Sequence, residues 1–137
     1  AILNKMAEGD LAEVARVLNR ENLNRLRQTI KQIYVDDKVR NYIVEIVMAT
    51  RNPREYGLSN VENLILVGAS PRATICLIRA ARAHALLRGK PFVTADDVKA
   101  IGYNVLRHRL LLTYEAEAES VKCDDIIKEI FSSIEVP

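Results

Sequence analysis

The chain has 137 residues, 49% of them hydrophobic, and a net charge of +2; that is the length of one domain with a buried core, and it excludes a disordered polyelectrolyte. Aromatic residues make up 5% and tryptophan is absent, so the core falls to Leu, Ile, Val and Ala. The small net charge does not by itself imply nucleic acid, and no apolar run is long enough to span a membrane.

In chain order, helical periodicity dominates. The opening AILNKMAEGD has no initiator methionine and reads as helical, the expectation for a piece of a longer protein. In ENLNRLRQTIKQI, Leu23, Leu26, Ile30 and Ile33 recur at three- and four-residue intervals and predict one apolar stripe, with Asn19 as its cap. Tyr34-Val35 is a short extended link. Asp36 then caps DKVRNYIVEIVMATR, whose stripe is Val39, Tyr42, Ile43, Ile46 and Val47, and Asn52-Pro53 stops it. Residues Pro53 to Asn63 are polar and carry Pro and Gly, which predicts an exposed loop. Leu64 to Val67, LILV, predicts a strand or a buried extended segment.

In GASPR, Ser70 as N-cap and Pro71 at the first helical position predict a helix start, and Gly89 as C′ its end. The helix between is Ala-rich and apolar almost all round, the pattern of a helix in the middle of a bundle. Arg72 falls in its first turn, where the helix already presents about half a positive charge. It is there either as a solvated arginine or because an anion belongs beside it. Thr94 and Asp97 approximate a capping box for a helix reaching about Leu106. RHRLLLTYEAEAES is part strand-like and part helix-like. CDDIIKEIFSSI closes the chain as an amphipathic helix with Ile126, Ile127, Ile130, Phe131 and Ile134 inward. The fold class expected is all-α, a bundle of five to six helices with room for a very short strand or hairpin.

Catalytic and metal motifs are missing. There is no GxxxxGK[ST] phosphate loop, no GxSxG elbow, no HExxH and no His/Cys cluster at metal spacing. His84 on the central helix suits a packed histidine satisfied by hydrogen bonds, and His108, between Arg107 and Arg109, a surface cluster. Asp96-Asp97 fits helix-start electrostatics better than a metal pair. Cys76 and Cys123 lack ligand spacing, which points to reduced thiols and a cytoplasmic setting. Residues 72–113 carry eight Lys/Arg against Asp96 and Asp97, a net of +6, while 115–137 carry a net of −5. These regions either attract each other or face different partners. Arg79, Arg82 and Arg88 are expected near one face, as a solvated surface or a contact between subunits or domains.

GASPRA, followed by AARAHALLRGKPFVTADDVKAIGYNVLRHRL, resembles the C-terminal lid of the MoxR family of AAA+ ATPases. That family's lids read Gly-Ala-Ser-Pro-Arg-Ala, an Ala/Arg-rich helix, a Val-Thr-Pro-Glu-Asp-Val helix start and a Leu-Arg-His-Arg segment. Here Val93-Thr94-Ala95-Asp96-Asp97-Val98 has Ala for Pro and Asp for Glu. YIVEIVMATR, Tyr42 to Arg51, is similar to the family's helix before the motif. The match runs from about Asn22 to Pro137. It divides the chain into 1–18, the tail of a preceding ATPase core or a linker helix, and 19–137, the all-α lid. One departure is that Asn52 to Val67 holds a modest insertion relative to the family's usual link.

The resemblance implies that Arg72 is the sensor-2 arginine, reaching the terminal phosphates of ATP, with Gly68, Ala69, Ser70 and Pro71 forming the turn that presents it. ATP and its magnesium would be held mainly by a core domain; no metal ligand is expected here. It further implies an ATP-hydrolysing, chaperone-like parent, a ring of subunits, typically a hexamer, and a client or a von Willebrand A-type partner. By itself this chain is not expected to be an enzyme. The competing expectation is a helical nucleic-acid-binding module using the basic 72–113 region, with TADDVKAIGYNVLRHR as part of a helix-turn-helix; steeply salt-dependent DNA binding is its signature. A purely structural bundle is the third.

Overall fold

The computed structural model describes residues 15–137, and among them seven helices, one 3₁₀ turn and two very short strands. The expected tail over 1–18 lies mostly outside the described residues; 15–19 carry no regular element. Helix α1 is Arg20–Gln32 and α2 is Asp37–Ala49, followed by a 3₁₀ turn Pro53–Tyr56 and a short α3, Ser59–Glu62. Strand β1, Ile65–Val67, precedes the long α4, Arg72–Leu87, and α5, Ala95–Leu106. Strand β2 is Leu111–Leu112, and α6, Tyr114–Ala118, and α7, Cys123–Ser133, complete the chain. The count exceeds the expected five to six because two sequence stretches too short for a periodic signal, around Asn60 and Glu115, each close a helical turn.

Caps form where short polar side chains precede the periodic runs. The Asn19 carboxamide accepts from the Asn22 amide at 2.7 Å and the Asp36 carboxylate from the Lys38 amide at 2.9 Å, starting α1 and α2. The link after α1 is extended as expected: the Tyr34 amide donates to the Pro91 carbonyl and the Val93 amide to the Tyr34 carbonyl. At the end of α4, Gly89 takes φ +69°, the Lys90 amide donates to the Ala85 carbonyl and the Gly89 amide to that of Leu86. This is a Schellman closure, and glycine supplies the left-handed residue at little steric cost.

The core is aliphatic. Helix α4 packs mainly on α5 and also on α2 and α1, and α7 closes over α5 and α2. Ala73, Leu77, Ala81 and Ala85 are fully buried at four-residue intervals, so alanine lets the neighbouring helices approach closely. Ile126, Ile127, Ile130, Phe131 and Ile134 are all buried as predicted, each isoleucine contributing about 1.5–3 kcal/mol by its removal from water. The Phe131 ring meets Tyr103 edge-on at 5.4 Å.

Three packing expectations are corrected. Helix α4 has neighbours on several sides, α1, α2 and α5, but is not buried all round: Ile75 is 50% and Leu87 85% exposed. Helix α1 buries none of its residues; of the predicted stripe only Ile33, just past its end, is buried, since that is the end anchored by the Tyr34 link. The 53–63 segment is no simple exposed loop, for Pro53, Leu58 and Val61 are buried and draw the 3₁₀ turn and α3 onto the body. LILV does form a strand, but Leu66 and Val67 are exposed. Its partner is β2, antiparallel across an irregular register, so the two are not a hairpin: α4 and α5 separate them in sequence.

Candidate functional site

The corner between α2 and α4 gathers the residues singled out by the sequence. Helix α2 ends at Ala49, Thr50 is its C-cap and Arg51 follows, and the chain returns through β1 to Gly68, Ala69, Ser70 and Pro71 before α4 begins at Arg72. Thr50 is one of two buried polar residues among those described, the other being Asp97. Its hydroxyl donates to the Val47 carbonyl at 2.6 Å and accepts from the Ala69 amide at 3.0 Å. The Arg51 guanidinium donates to the Ala69 carbonyl at 3.4 Å. Gly68 fits against this joint because it has no side chain: a Cβ there would lie 2.8 Å from Arg51 Cα and closer still to the Thr50 carbonyl.

Helix α4 starts differently from the expected Ser70 cap. Pro71 already has helical angles, φ −54° and ψ −24°, and no side chain caps the first turn. The Ser70 carbonyl accepts from the Ala73 amide at 2.8 Å, and the Thr74 hydroxyl turns back to the Pro71 carbonyl at 2.7 Å. A proline at the start supplies a preset φ and no amide, so the turn closes without a side-chain acceptor. Ala69 is buried, whereas Ser70, Pro71 and Arg72 are exposed. Among the described residues the Arg72 guanidinium has no hydrogen-bond or ion-pair partner. A cavity of about 570 Å³ reaches this joint, lined by Thr50, Arg51, Arg54, Glu62, Leu66 and Gly68 among others.

The other polar centre lies at the far end of α4. The Asp97 carboxylate is buried and accepts from the Thr94 amide at 2.9 Å and the Thr94 hydroxyl at 2.8 Å, completing the predicted capping box. His84 Nδ1 meets its Oδ1 at 2.9 Å and Lys90 Nζ at 3.3 Å. Burial pushes the Asp97 carboxyl up, but the donated bonds of Thr94, His84 and Lys90 outweigh it and hold it below the usual carboxylate range. His84 is therefore bonded into the structure, as the sequence suggested; the Lys90 contact has no sequence signal, because it joins residues seven positions apart across the link between α4 and α5.

The remaining candidates sit apart. Arg107 Nε and Nη2 grip the two carboxylate oxygens of Asp124 at 2.7 and 2.8 Å, so the basic and acidic regions do meet. His108 is exposed beside Arg109. Arg79, Arg82 and Arg88 do not share one face, since six residues turn a helix by well over one and a half turns and Arg88 lies past its last helical residue. Arg82 is half-buried with its Nε unpartnered. Both cysteines are free thiols. Among the described residues no helix is long and apolar enough to cross a membrane, and no cluster of His, Cys, Asp or Glu is placed to hold a metal.

Residues 58–130 match the family described as AAA lid domain. The chain is 35% identical over 125 residues to Chaperone MoxR1 of Mycobacterium tuberculosis, covering 91% of this chain and 33% of that protein. It is 34% identical over 135 residues to Protein MoxR of Paracoccus denitrificans, covering 93% of this chain and 40% of that one. A crystal structure of a Cytophaga hutchinsonii protein designated an ATPase superposes with a TM-score of 0.91 at 33% identity, over 99% of this chain and 42% of that one. The chain thus spans about a third of the length of the curated relatives it matches.

Proposed function

The chain belongs to the AAA lid-domain family, as a lid of the MoxR type, and from that premise we propose that it couples nucleotide state to motion in an ATP-hydrolysing, chaperone-like protein, with Arg72 as its phosphate-contacting residue. The observation that carries this reading is the start of α4: a first turn without a side-chain cap, and an exposed guanidinium without a partner among the described residues, at the positive end of a sixteen-residue helix. A phosphate answers both, because a bidentate guanidinium at the positive end of a helix supplies the donors and the field its oxygens need.

These residues fit a contact to the outer phosphates and do not fit a whole nucleotide site. No phosphate loop occurs in the sequence, so nucleotide and magnesium belong mainly to a core domain formed by the rest of the full-length protein. The contribution of this chain is electrostatic: Arg72 would stabilise charge developing on the transferred phosphoryl group and tie the lid's position to it. Gly68, Ala69, Ser70 and Pro71 present Arg72 and make the turn that carries it. Residues 19–137 form the lid in this reading. Its partners are that core and neighbouring subunits of a ring, a hexamer by family precedent, with a von Willebrand A-type or other client protein beyond. Two free thiols suit a reducing, cytoplasmic setting.

The test is steady-state ATP turnover by the full-length protein, wild type beside Arg72→Ala. Turnover should fall tenfold or more, about 1.4 kcal/mol of transition-state stabilisation, with the thermal melt unchanged. Equal turnover would falsify the phosphate role. DNA binding with a steep salt dependence would instead favour the nucleic-acid module.

A further inference from the structure

We propose that Thr50 and Arg51 are positioning residues for Arg72, holding the start of α4 against the end of α2 so that the guanidinium is aimed by the α2 helix and not by a cap of its own. The proposal rests on the reading of Arg72 given above. Four observations converge on it. Both backbone hydrogen-bonding groups of Ala69 are taken by the two side chains that follow α2, the amide by the Thr50 hydroxyl at 3.0 Å and the carbonyl by Arg51 Nη1 at 3.4 Å. Thr50 is fully buried, and a buried hydroxyl is costly unless bonded; its bond to Val47 satisfies its proton, leaving its lone pairs for Ala69. Gly68 allows a close approach that any Cβ would block at the Thr50 and Arg51 backbone. Helix α4 has no side-chain cap of its own to set the direction of its first turn.

Only Ser70 and Pro71 stand between the clamped Ala69 and Arg72. Pro71 has its φ locked by its ring, so the link is short and stiff. The Thr50-Arg51 pair and the Gly-Ala-Ser-Pro-Arg turn, far apart in sequence, therefore act as one mechanical part. Helix α2 also packs against α5 and α7, which anchors the clamp in the body of the domain.

The experiment is a double-mutant cycle on ATP turnover by the full-length protein, with thermal melts of every variant. Thr50→Val keeps the shape and removes the acceptor; Thr50→Ser keeps the acceptor. Thr50→Val should lower kcat by about three- to tenfold, as expected for a misaimed group, and Thr50→Ser should restore most of it. In an Arg72→Ala background Thr50→Val should cause no further loss, because its effect passes through Arg72. Wild-type turnover in Thr50→Val, or the same fold-loss with and without Arg72, overturns the positioning role while leaving Arg72 intact. Normal turnover in Arg72→Ala overturns the underlying reading, and this proposal with it. If Thr50→Val does not fold, Arg51→Met carries the same cycle on an exposed side chain. There a loss of about twofold that vanishes without Arg72 supports the clamp, and an additive loss or none refutes it.

Discussion

The two ends of α4 are opposites. At the C-terminal end a buried charge is answered inside the domain: Gly89 closes a Schellman turn, and His84, Lys90 and Thr94 converge on one buried carboxylate. At the N-terminal end the backbone of Ala69 is clamped, yet the first turn has no side-chain cap and Arg72 points to no partner among the described residues. A domain that satisfies a buried carboxylate with several donors is capable of capping a helix. The contrast teaches that one end is closed by contacts within the domain, while the other is left open, which is what the proposed phosphate contact of Arg72 requires.

That contrast can be broken by stability measurements on the two ends. The largest effect belongs to Asp97→Ala, which strips the capping box and leaves the Thr94 amide, His84 and Lys90 without their acceptor. It should cost about 2–4 kcal/mol in denaturant unfolding. A cost under 0.5 kcal/mol, the usual range of a surface change, would mean that the closed end is not where stability lies.

The same carboxylate sets a pH dependence. Its pKa in the folded state is held below that of the unfolded chain, so its contribution is present above the ordinary aspartate range, near about 4, and is lost as pH falls through the folded value. The melting-temperature gap between wild type and Asp97→Ala should therefore be widest near neutral pH and shrink in acid. A gap that grew in acid would reverse the sign of the linkage.

Gly89→Ala should cost less, about 1 kcal/mol, because alanine must adopt φ near +69° at the Schellman position. A Cβ meets nothing there, so the cost is conformational alone. Smallest of all, Arg72→Ala should change unfolding free energy by less than about 0.5 kcal/mol, or raise it slightly by removing a cation from a positive helix end. Calorimetric melts of the four proteins side by side measure the whole series. Were Arg72→Ala as damaging as Asp97→Ala, the open end would be structural after all.

Much of this was legible in the sequence. The caps at Asn19, Asp36 and Thr94, the Gly89 stop and the apolar face of α7 all follow from local rules, and the structure has each of them. Local chemistry of this kind depends on residues within a few positions of one another, which a linear reading captures. Where Ser70 was expected to cap α4, the neighbouring proline closed the turn instead, because its ring presets the backbone.

What only the tertiary structure decided were matters of which surfaces meet. The stripe on α1 and the apolar circumference of α4 carry the same signal whether or not a neighbour lies against them, and here α1 buries none of its residues while α4 leaves Ile75 and Leu87 exposed. The polar 53–63 stretch conceals three buried anchors, since one Leu or Val among polar residues has no periodicity to betray it. The clamp of Thr50 and Arg51 on Ala69 joins residues eighteen or nineteen positions apart. Helix periodicity and most of the capping were set along the chain; the joint that holds Ala69, three residues before Arg72, came from a long-range contact, because a hydroxyl and an amide find each other only after the helices have packed.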